Sequence, residues 1–143
     1  MAMADLGKHG ADSAVSLSAI AERQHLSIAY LEQIFAQVRR AGLVDSVRGR
    51  SGGYHLARSA SDISIAEIMI AVEEETRMTR CLDIDGDKAG CLGDTKCLTH
   101  GLWRALGGHI RAFLNGVSLQ DVIDGTPIQP RGQAIMPTKV AAE

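Results

Sequence analysis

The sequence predicts a mainly α-helical fold with one small β-hairpin, organised as a winged helix-turn-helix with a further long helix behind it. Two short helical segments separated by a brief break are followed by a glycine-rich hairpin, which is the element order of a winged helix. A later stretch from Cys97 to about Gly116 has regular apolar spacing and predicts the long helix. The 143 residues suit one domain, or one small domain with an extension, and the 45% hydrophobic content is enough for a core.

Two serine-capped segments predict the helix-turn-helix. Ser16 or Ser18 caps the segment SLSAIAERQH, and Ser27 caps IAYLEQIFAQVRRAG, which ends at Gly42. The apolar stripe of the second helix comprises Ile28, Leu31, Ile34, Phe35 and Val38. Before them, MAMADLGKHG is typical of the end of a helix closed by one of its two glycines, so we expect the first helix to be truncated.

The segment LVDSVRGRSGGYHLA predicts the hairpin. Strand-forming residues flank a turn from Gly49 to Gly53, and Arg48 and Arg50 bring positive charge to its tip. A thin cationic tip fits the narrow, strongly negative minor groove of DNA. An ordinary solvent-exposed hairpin that carries two arginines is the alternative.

The second helix is the candidate recognition helix, because the amino-terminal residues of that helix contact base edges in such modules. The residues in that position are Ser27, Ala29, Tyr30, Glu32 and Gln33. Glutamine pairs with adenine, glutamate accepts a hydrogen bond from cytosine, and hydroxyls suit phosphate or base contacts. Arg39, further along the helix, is another candidate contact. The alternative is that Glu32 and Gln33 are solvated residues of an ordinary helix.

Charge is distributed unevenly along the chain. From Arg23 to Arg58 there are six arginines or lysines against two acids, so this segment carries +4 within a chain of net charge −2, and the remainder carries −6. A basic segment on an acidic body favours a nucleic-acid-binding module attached to something else. Chance clustering on a solvated surface is the alternative.

Four further features follow the hairpin. Ser64 and Glu67 predict a capping box at the start of a helix. The apolar stripe of the long helix comprises Leu98, Leu102, Leu106, Ile110, Phe113 and Leu114. Ser118 caps a short final helix, and after Gly125 three prolines and the lack of any periodicity predict a disordered tail.

All three cysteines of the chain lie with one histidine in a stretch of twenty residues. Cys81, Cys91, Cys97 and His100 are separated by nine, five and two residues, in a segment rich in glycine and aspartate. Three thiolates and one imidazole are a suitable ligand set for a metal ion or an iron–sulfur cluster. Cys97 and His100 are three apart on the predicted long helix, so we expect their side chains to share a face.

The ligand spacing leaves three interpretations open. A 2Fe–2S cluster is compatible with it, because two irons spread the four ligands apart. A structural zinc ion is the second interpretation, although zinc sites usually contain closer cysteine pairs. A catalytic Cys–His pair in a small thiol or redox enzyme is the third, but the sequence has no pattern typical of an oxyanion hole or a substrate cleft.

The sequence predicts neither export nor membrane insertion. The start lacks a signal-peptide pattern, and no apolar run approaches the roughly 20 residues of a membrane span. An odd number of cysteines without an export signal argues for a reducing cytoplasm and against a disulfide framework. We expect a cytoplasmic protein with no membrane partner and no small-molecule substrate.

Two motifs resemble a known family. The string LSIAYLEQIFAQVRRAGLVDSVRGRSGGYHLA and the element CLTHGLW are similar to IscR-type iron–sulfur cluster regulators, in the bacterial winged-helix family that also includes NsrR and RirA. The resemblance extends over about residues 1–125. It implies a transcriptional repressor, not an enzyme, that binds a double-stranded DNA operator as a homodimer and controls iron–sulfur biogenesis genes.

The resemblance also implies roles for particular residues. It implies a 2Fe–2S cluster held by Cys81, Cys91, Cys97 and His100, whose loss changes which promoters are bound. The implied DNA contacts are Ser27, Tyr30, Glu32, Gln33 and Arg48. Glu32 is implied to discriminate between operator classes. The implied dimer interface is the long helix, with Leu102, Leu106, Ile110 and Phe113.

These assignments predict the domain organisation. Residues 1–75 form the winged helix-turn-helix, 76–124 the cluster-binding loop and the dimerisation helix, and 125–143 the disordered tail. Two departures from the family pattern are visible. Family members carry a further basic segment at their start, and the loop between Cys81 and Cys91 is longer than their commoner spacer.

Overall fold

The computed structural model describes residues 1–10, 13–49, 52–72 and 97–125. Arg50, Cys81, Cys91 and the tail from residue 126 lie outside them, so the predictions made for those residues stay predictions. Within the described ranges the chain forms six α-helices, a two-stranded antiparallel sheet and a short 3₁₀ turn at Ala60–Asp62. The predicted mainly helical fold with one hairpin is confirmed.

The first three helices form the helix-turn-helix and its support. α1 spans Ala2–His9, α2 spans Leu17–Gln24 and α3 spans Ile28–Arg40. The hydroxyls of Ser16 and Ser27 each accept a hydrogen bond from the backbone amide three residues on, at 3.2 Å, which caps α2 and α3. Both helices therefore begin where the sequence predicts.

The two strands of the hairpin pair with each other, and the second strand also pairs with the residues just before α2. β1, Val44–Val47, pairs with β2, Gly53–Leu56. The Val15 amide donates to the Tyr54 carbonyl at 2.9 Å, and the Tyr54 amide donates to the Val15 carbonyl at 2.8 Å. A Cβ atom on Gly53 would lie 2.5 Å from the Val15 carbonyl oxygen, so this close approach requires glycine.

A single core lies beneath α3 and the hairpin. Its largest fully buried side chains are Phe35, Leu6, Ile20, Leu31, Leu43, Ile63, Leu119, Val38 and Val44. The ring of Phe35 meets that of Tyr54 edge-on, with centroids 5.0 Å apart. Ile28, predicted to belong to the buried stripe, is instead 48% exposed, because the first turn of α3 extends past the core.

Three more helices complete the described structure. α4 spans Ile65–Ala71, α5 spans His100–Gly116 and α6 spans Leu119–Asp124. Capping boxes at Ser64 and Ser118 begin α4 and α6, so both predicted caps are confirmed. We call α1 to α4, the hairpin and α6 the head, because α6 packs against α1 and the 3₁₀ turn.

One backbone hydrogen bond joins the end of α5 to the head, and a second joins the start of α6 to the residues before α4. The Ile65 amide donates to the Val117 carbonyl at 2.9 Å, and the Leu119 amide donates to the Ile63 carbonyl at 2.8 Å. Val117 and Leu119 are buried there. None of the helices in the described ranges has the length and apolar character needed to span a membrane.

Candidate nucleic-acid interface and metal centre

The surface of α3 that faces away from the core carries the predicted DNA contacts. Leu31, Phe35 and Val38 have no exposed surface and fix the orientation of the helix on the core. The predicted contacts of this region, all exposed, are Ser27, Tyr30, Glu32, Gln33 and Arg39. Tyr30 also lines an apolar groove of about 380 Å³ between α1, α3, α4 and α6, so it lies at the edge of this surface.

Positive charge lies at the carboxyl end of α3 and on the hairpin. Arg39 and Arg40 are exposed in the last turn, where the Arg40 Nε donates to the Ala36 carbonyl at 3.3 Å. Arg48 is exposed immediately after β1. Exposed guanidinium groups at the carboxyl end of α3 and on the hairpin suit contacts to DNA phosphates, which position a protein on the duplex.

A buried carboxylate connects α1 to the end of α2. The Asp5 side chain is 2% exposed and accepts hydrogen bonds from Arg23 Nη2 at 2.6 Å and from Gln24 Nε2 at 2.8 Å. The hydrogen bonds from Arg23 are the main cause that lowers the pKa of Asp5 below its ordinary value. This contact fixes the last residues of α2, directly before the turn into α3.

The Asp5 contact was not predicted from the sequence. The available signal was an acid placed between apolar Met3 and Leu6 in a short helix, because a carboxylate buried there needs hydrogen-bond partners.

The turn between α2 and α3 contains a left-handed residue. His25 has φ 53° and ψ 42°, and it is the one non-glycine residue with positive φ in the described part of the chain. This conformation is unfavourable in free energy for a residue with a Cβ atom, whereas glycine adopts it readily. The angle between α2 and α3 is therefore set in part by a strained residue.

The described half of the predicted metal centre lies at the start of α5. His100 is the first residue of the helix, and its amide donates to the Cys97 carbonyl at 3.0 Å across a turn. The prediction that Cys97 lies on the helix is therefore wrong, because Leu98 and Thr99 form a turn between Cys97 and the first residue of α5. Cys97 and His100 are both partly buried, and Cys97 Sγ lies 3.4 Å from Thr99 Oγ1.

One face of α5 is apolar and uncovered. Leu102 is 62% exposed, Leu106 is 37% exposed and Phe113 is 40% exposed, whereas Ile110 is partly buried. Gly107 is the one buried residue of this 17-residue helix. The residues predicted to form a dimer interface therefore lie on a face that the described part of the chain does not bury.

Comparison with known proteins agrees with this architecture. The Rrf2 family, described as an iron-dependent transcriptional regulator, matches residues 1–125. The HTH-type transcriptional regulator IscR of Photorhabdus laumondii is 43% identical over 127 residues, which cover 89% of this chain and 75% of that protein. The matching family and this relative are both described as transcriptional regulators, which confirms the prediction that the chain is not an enzyme.

Two solved structures have a fold similar to that of this chain. The IscR of T. potens is 35% identical, with a TM-score of 0.66 over 93% of this chain and 85% of its own. CymR, the global cysteine regulator of B. subtilis, is 28% identical, with a TM-score of 0.69 over 87% of this chain and 89% of its own. These similarities confirm the predicted resemblance and the winged-helix fold.

Proposed function

Because this chain belongs to the Rrf2 family of transcriptional regulators, we propose that it senses iron–sulfur cluster status and controls the genes of cluster biogenesis. In this proposal a 2Fe–2S cluster is held by Cys81, Cys91, Cys97 and His100. The observation that carries the proposal is the place of Cys97 and His100 at the start of α5, a helix whose other end is hydrogen-bonded to the head.

DNA reading is assigned to α3 and the hairpin. Ser27, Glu32 and Gln33 are exposed on the first two turns of α3, which is the part of a recognition helix that reaches base edges. Arg39, in the last turn of α3, and Arg48, directly after β1, are exposed and suit phosphate contacts, and Arg50 completes the proposed cationic tip. Tyr30, at the groove edge, is the remaining proposed contact.

The donor set at the start of α5 fits an iron–sulfur cluster. Cys97 and His100 bring one sulfur and one nitrogen ligand within a single turn, next to the positive end of a 17-residue helix. The Thr99 hydroxyl, 3.4 Å from Cys97 Sγ, donates a hydrogen bond when that sulfur is a thiolate. Both features stabilise the deprotonated cysteine that a cluster requires.

When bound, a 2Fe–2S cluster supplies a cross-link between its ligands that is sensitive to acid and oxidants. Through a bound cluster, Cys97 and His100 would attach the segment that contains Cys81 and Cys91 to the start of α5. A change in this attachment alters how α5 packs, and α5 is hydrogen-bonded to the head through Val117. The two recognition helices of a dimer are then presented to DNA differently.

The homodimer is proposed from the uncovered face of α5. Leu102, Leu106, Ile110 and Phe113 recur at helical spacing and form one apolar stripe, three of them more than a third exposed. A second copy of the same helix buries such a stripe symmetrically. In the cytoplasm, this dimer represses cluster-biogenesis genes when loaded, and releases them or changes targets when the cluster is lost.

The test of the cofactor is elemental analysis of protein isolated without air. We expect about two irons and two acid-labile sulfides per chain, with visible charge-transfer absorption. Zinc without sulfide would instead support a zinc-stabilised winged-helix repressor. The absence of iron, sulfide and zinc would reject both metal proposals while leaving DNA binding open.

Matched histidine variants test the ligand set. His100→Ala is expected to lose the visible absorption, whereas His109→Ala, which changes an exposed histidine on the same helix, keeps it. Far-ultraviolet circular dichroism should show that both variants remain folded. Equal absorption in the two variants would remove His100 from the ligand set.

Glu32→Ala tests how operators are discriminated. Removal of this carboxylate is expected to broaden the range of sites bound by the cluster-free protein, because an acid next to DNA repels phosphates unless it accepts from a base. A binding selection with random duplexes measures this range. An unchanged preference would contradict the role assigned to Glu32.

A further inference from the structure

Ile28 is a large aliphatic side chain that the head leaves uncovered. It is the first residue of α3, directly after the Ser27 cap, and it is 48% exposed. Leu31 and Phe35 on the same helix have no exposed surface. Burial in the described part of the chain therefore does not account for an isoleucine at this position.

Ile28 lies in the first turn of α3, which is the part of the recognition helix that enters the major groove in a winged helix-turn-helix. Ile28 and Glu32 are four residues apart, so they lie side by side on the helix surface. Ala29 is exposed next to them, whereas the arginines of α3 are in its last turn. The first turn therefore offers DNA an aliphatic surface continuous with the proposed base contacts and without positive charge.

We propose that Ile28 is a specificity-determining residue that packs against the C5 methyl group of a thymine in the operator. This inference rests on the proposed reading of DNA by α3. Thymine presents a methyl group in the major groove, and apolar side chains are suitable partners for it. Isoleucine is β-branched and populates few χ1 rotamers, so it presents a well-defined shape to that methyl group.

The experiment removes the methyl group and the side chain separately. A binding selection on random duplexes with the full chain first defines a bound site. Each thymine of that site is then replaced in turn by deoxyuridine, which lacks only the C5 methyl group. Dissociation constants are measured at one fixed salt concentration, because phosphate contacts make affinity depend on salt.

At one thymine position, the wild-type protein is expected to lose about five-fold in affinity when the methyl group is removed. Ile28→Ala is expected to lose about as much on the unmodified site and to be insensitive to removal of that methyl group. Wild-type binding that no deoxyuridine replacement weakens would overturn the inference.

Ile70→Ala is the matched control. Ile70 is 73% exposed on α4, so the same atoms are removed from another exposed surface of the head. This variant should bind both forms of the site like the wild type. If Ile28→Ala alters the oligomeric state of the DNA-free protein, Ile28 belongs to a protein interface and the inference is overturned.

The outcomes separate this inference from the function on which it rests. If the wild-type protein enriches no duplex sequence, the proposed DNA reading fails and this inference fails with it. If the wild type enriches a site but Ile28→Ala responds to methyl removal as the wild type does, only the role of Ile28 is rejected.

Discussion

The two phenylalanines of the chain show how differently the head and α5 are built. Phe35 has no exposed surface and packs edge-on against Tyr54 in the core of the head. Phe113 is 40% exposed on α5, where Gly107 is the one buried residue. The head thus carries its own core, whereas the apolar face of α5 needs a surface that the described part of the chain does not supply.

Phe35→Ala and Phe113→Ala test this difference most strongly. The first should lower the free energy of unfolding by about 4 kcal/mol, because it leaves a cavity beside Tyr54. The second should lower it by less than about 1 kcal/mol at a concentration where the chain is monomeric. Urea unfolding measures both values, and equal losses would contradict the contrast.

Leu106→Glu tests whether the face of α5 is an interface between copies. A carboxylate placed in a two-fold apolar contact is desolvated and faces its own copy, so the dimer dissociation constant should rise at least about 100-fold. Asn115→Glu adds the same charge to an exposed residue of this helix away from the stripe and is the control. Analytical ultracentrifugation distinguishes them, and a dimer that tolerates Leu106→Glu would place the interface elsewhere.

Asp5→Asn tests how much the buried Asp5 carboxylate contributes to the stability of the head. The variant weakens the hydrogen bonds with Arg23 and Gln24, and should lose about 2 kcal/mol of unfolding free energy at neutral pH. The pKa of Asp5 is lowered in the folded state, chiefly by Arg23, so its contribution is complete above the unfolded value of about 4. It is lost as pH falls through the folded value.

Stability measured against pH should therefore show the wild type and Asp5→Asn converging below about pH 4. A constant difference between them across the whole pH range would mean that the carboxylate charge is not the source of the stabilisation.

His25→Gly should produce the smallest change, and in the opposite direction. Glycine adopts the left-handed conformation of residue 25 without strain, so the variant should gain about 0.5 kcal/mol after the entropy of the unfolded chain is included. His25→Ala keeps the Cβ atom and should show no gain. Thermal unfolding of the three proteins provides the comparison.

Features that depend on neighbours in the sequence were predicted well. Ser27, Ser64 and Ser118 cap their helices as expected, because a cap and its amide are three residues apart and are visible in the sequence. The hairpin was predicted for the same reason, since strand formers flank a glycine-rich turn.

Features that depend on the third dimension were missed. The contact between Asp5 and Arg23 joins residues 18 apart, and no local pattern pairs them. Ile28 fits the periodicity of a buried stripe, but periodicity does not tell where the core beneath a helix ends. α5 starts at His100, three residues after the predicted start at Cys97, because apolar periodicity does not define where a helix begins.

The backbone hydrogen bond from Ile65 to Val117 fixes the carboxyl end of α5 to the head, so this end is the pivot for a tilt of the helix. A helix of 17 residues is about 25 Å long, so its His100 end lies far from that pivot. A tilt of about 5° around the pivot displaces the His100 end by about 2 Å. If Cys97 and His100 hold a cluster as proposed, an ångström-scale rearrangement of these two ligands corresponds to only a small rotation of α5 relative to the head. In the proposed homodimer, such a rotation changes the spacing between the two heads while the geometry within each head is preserved.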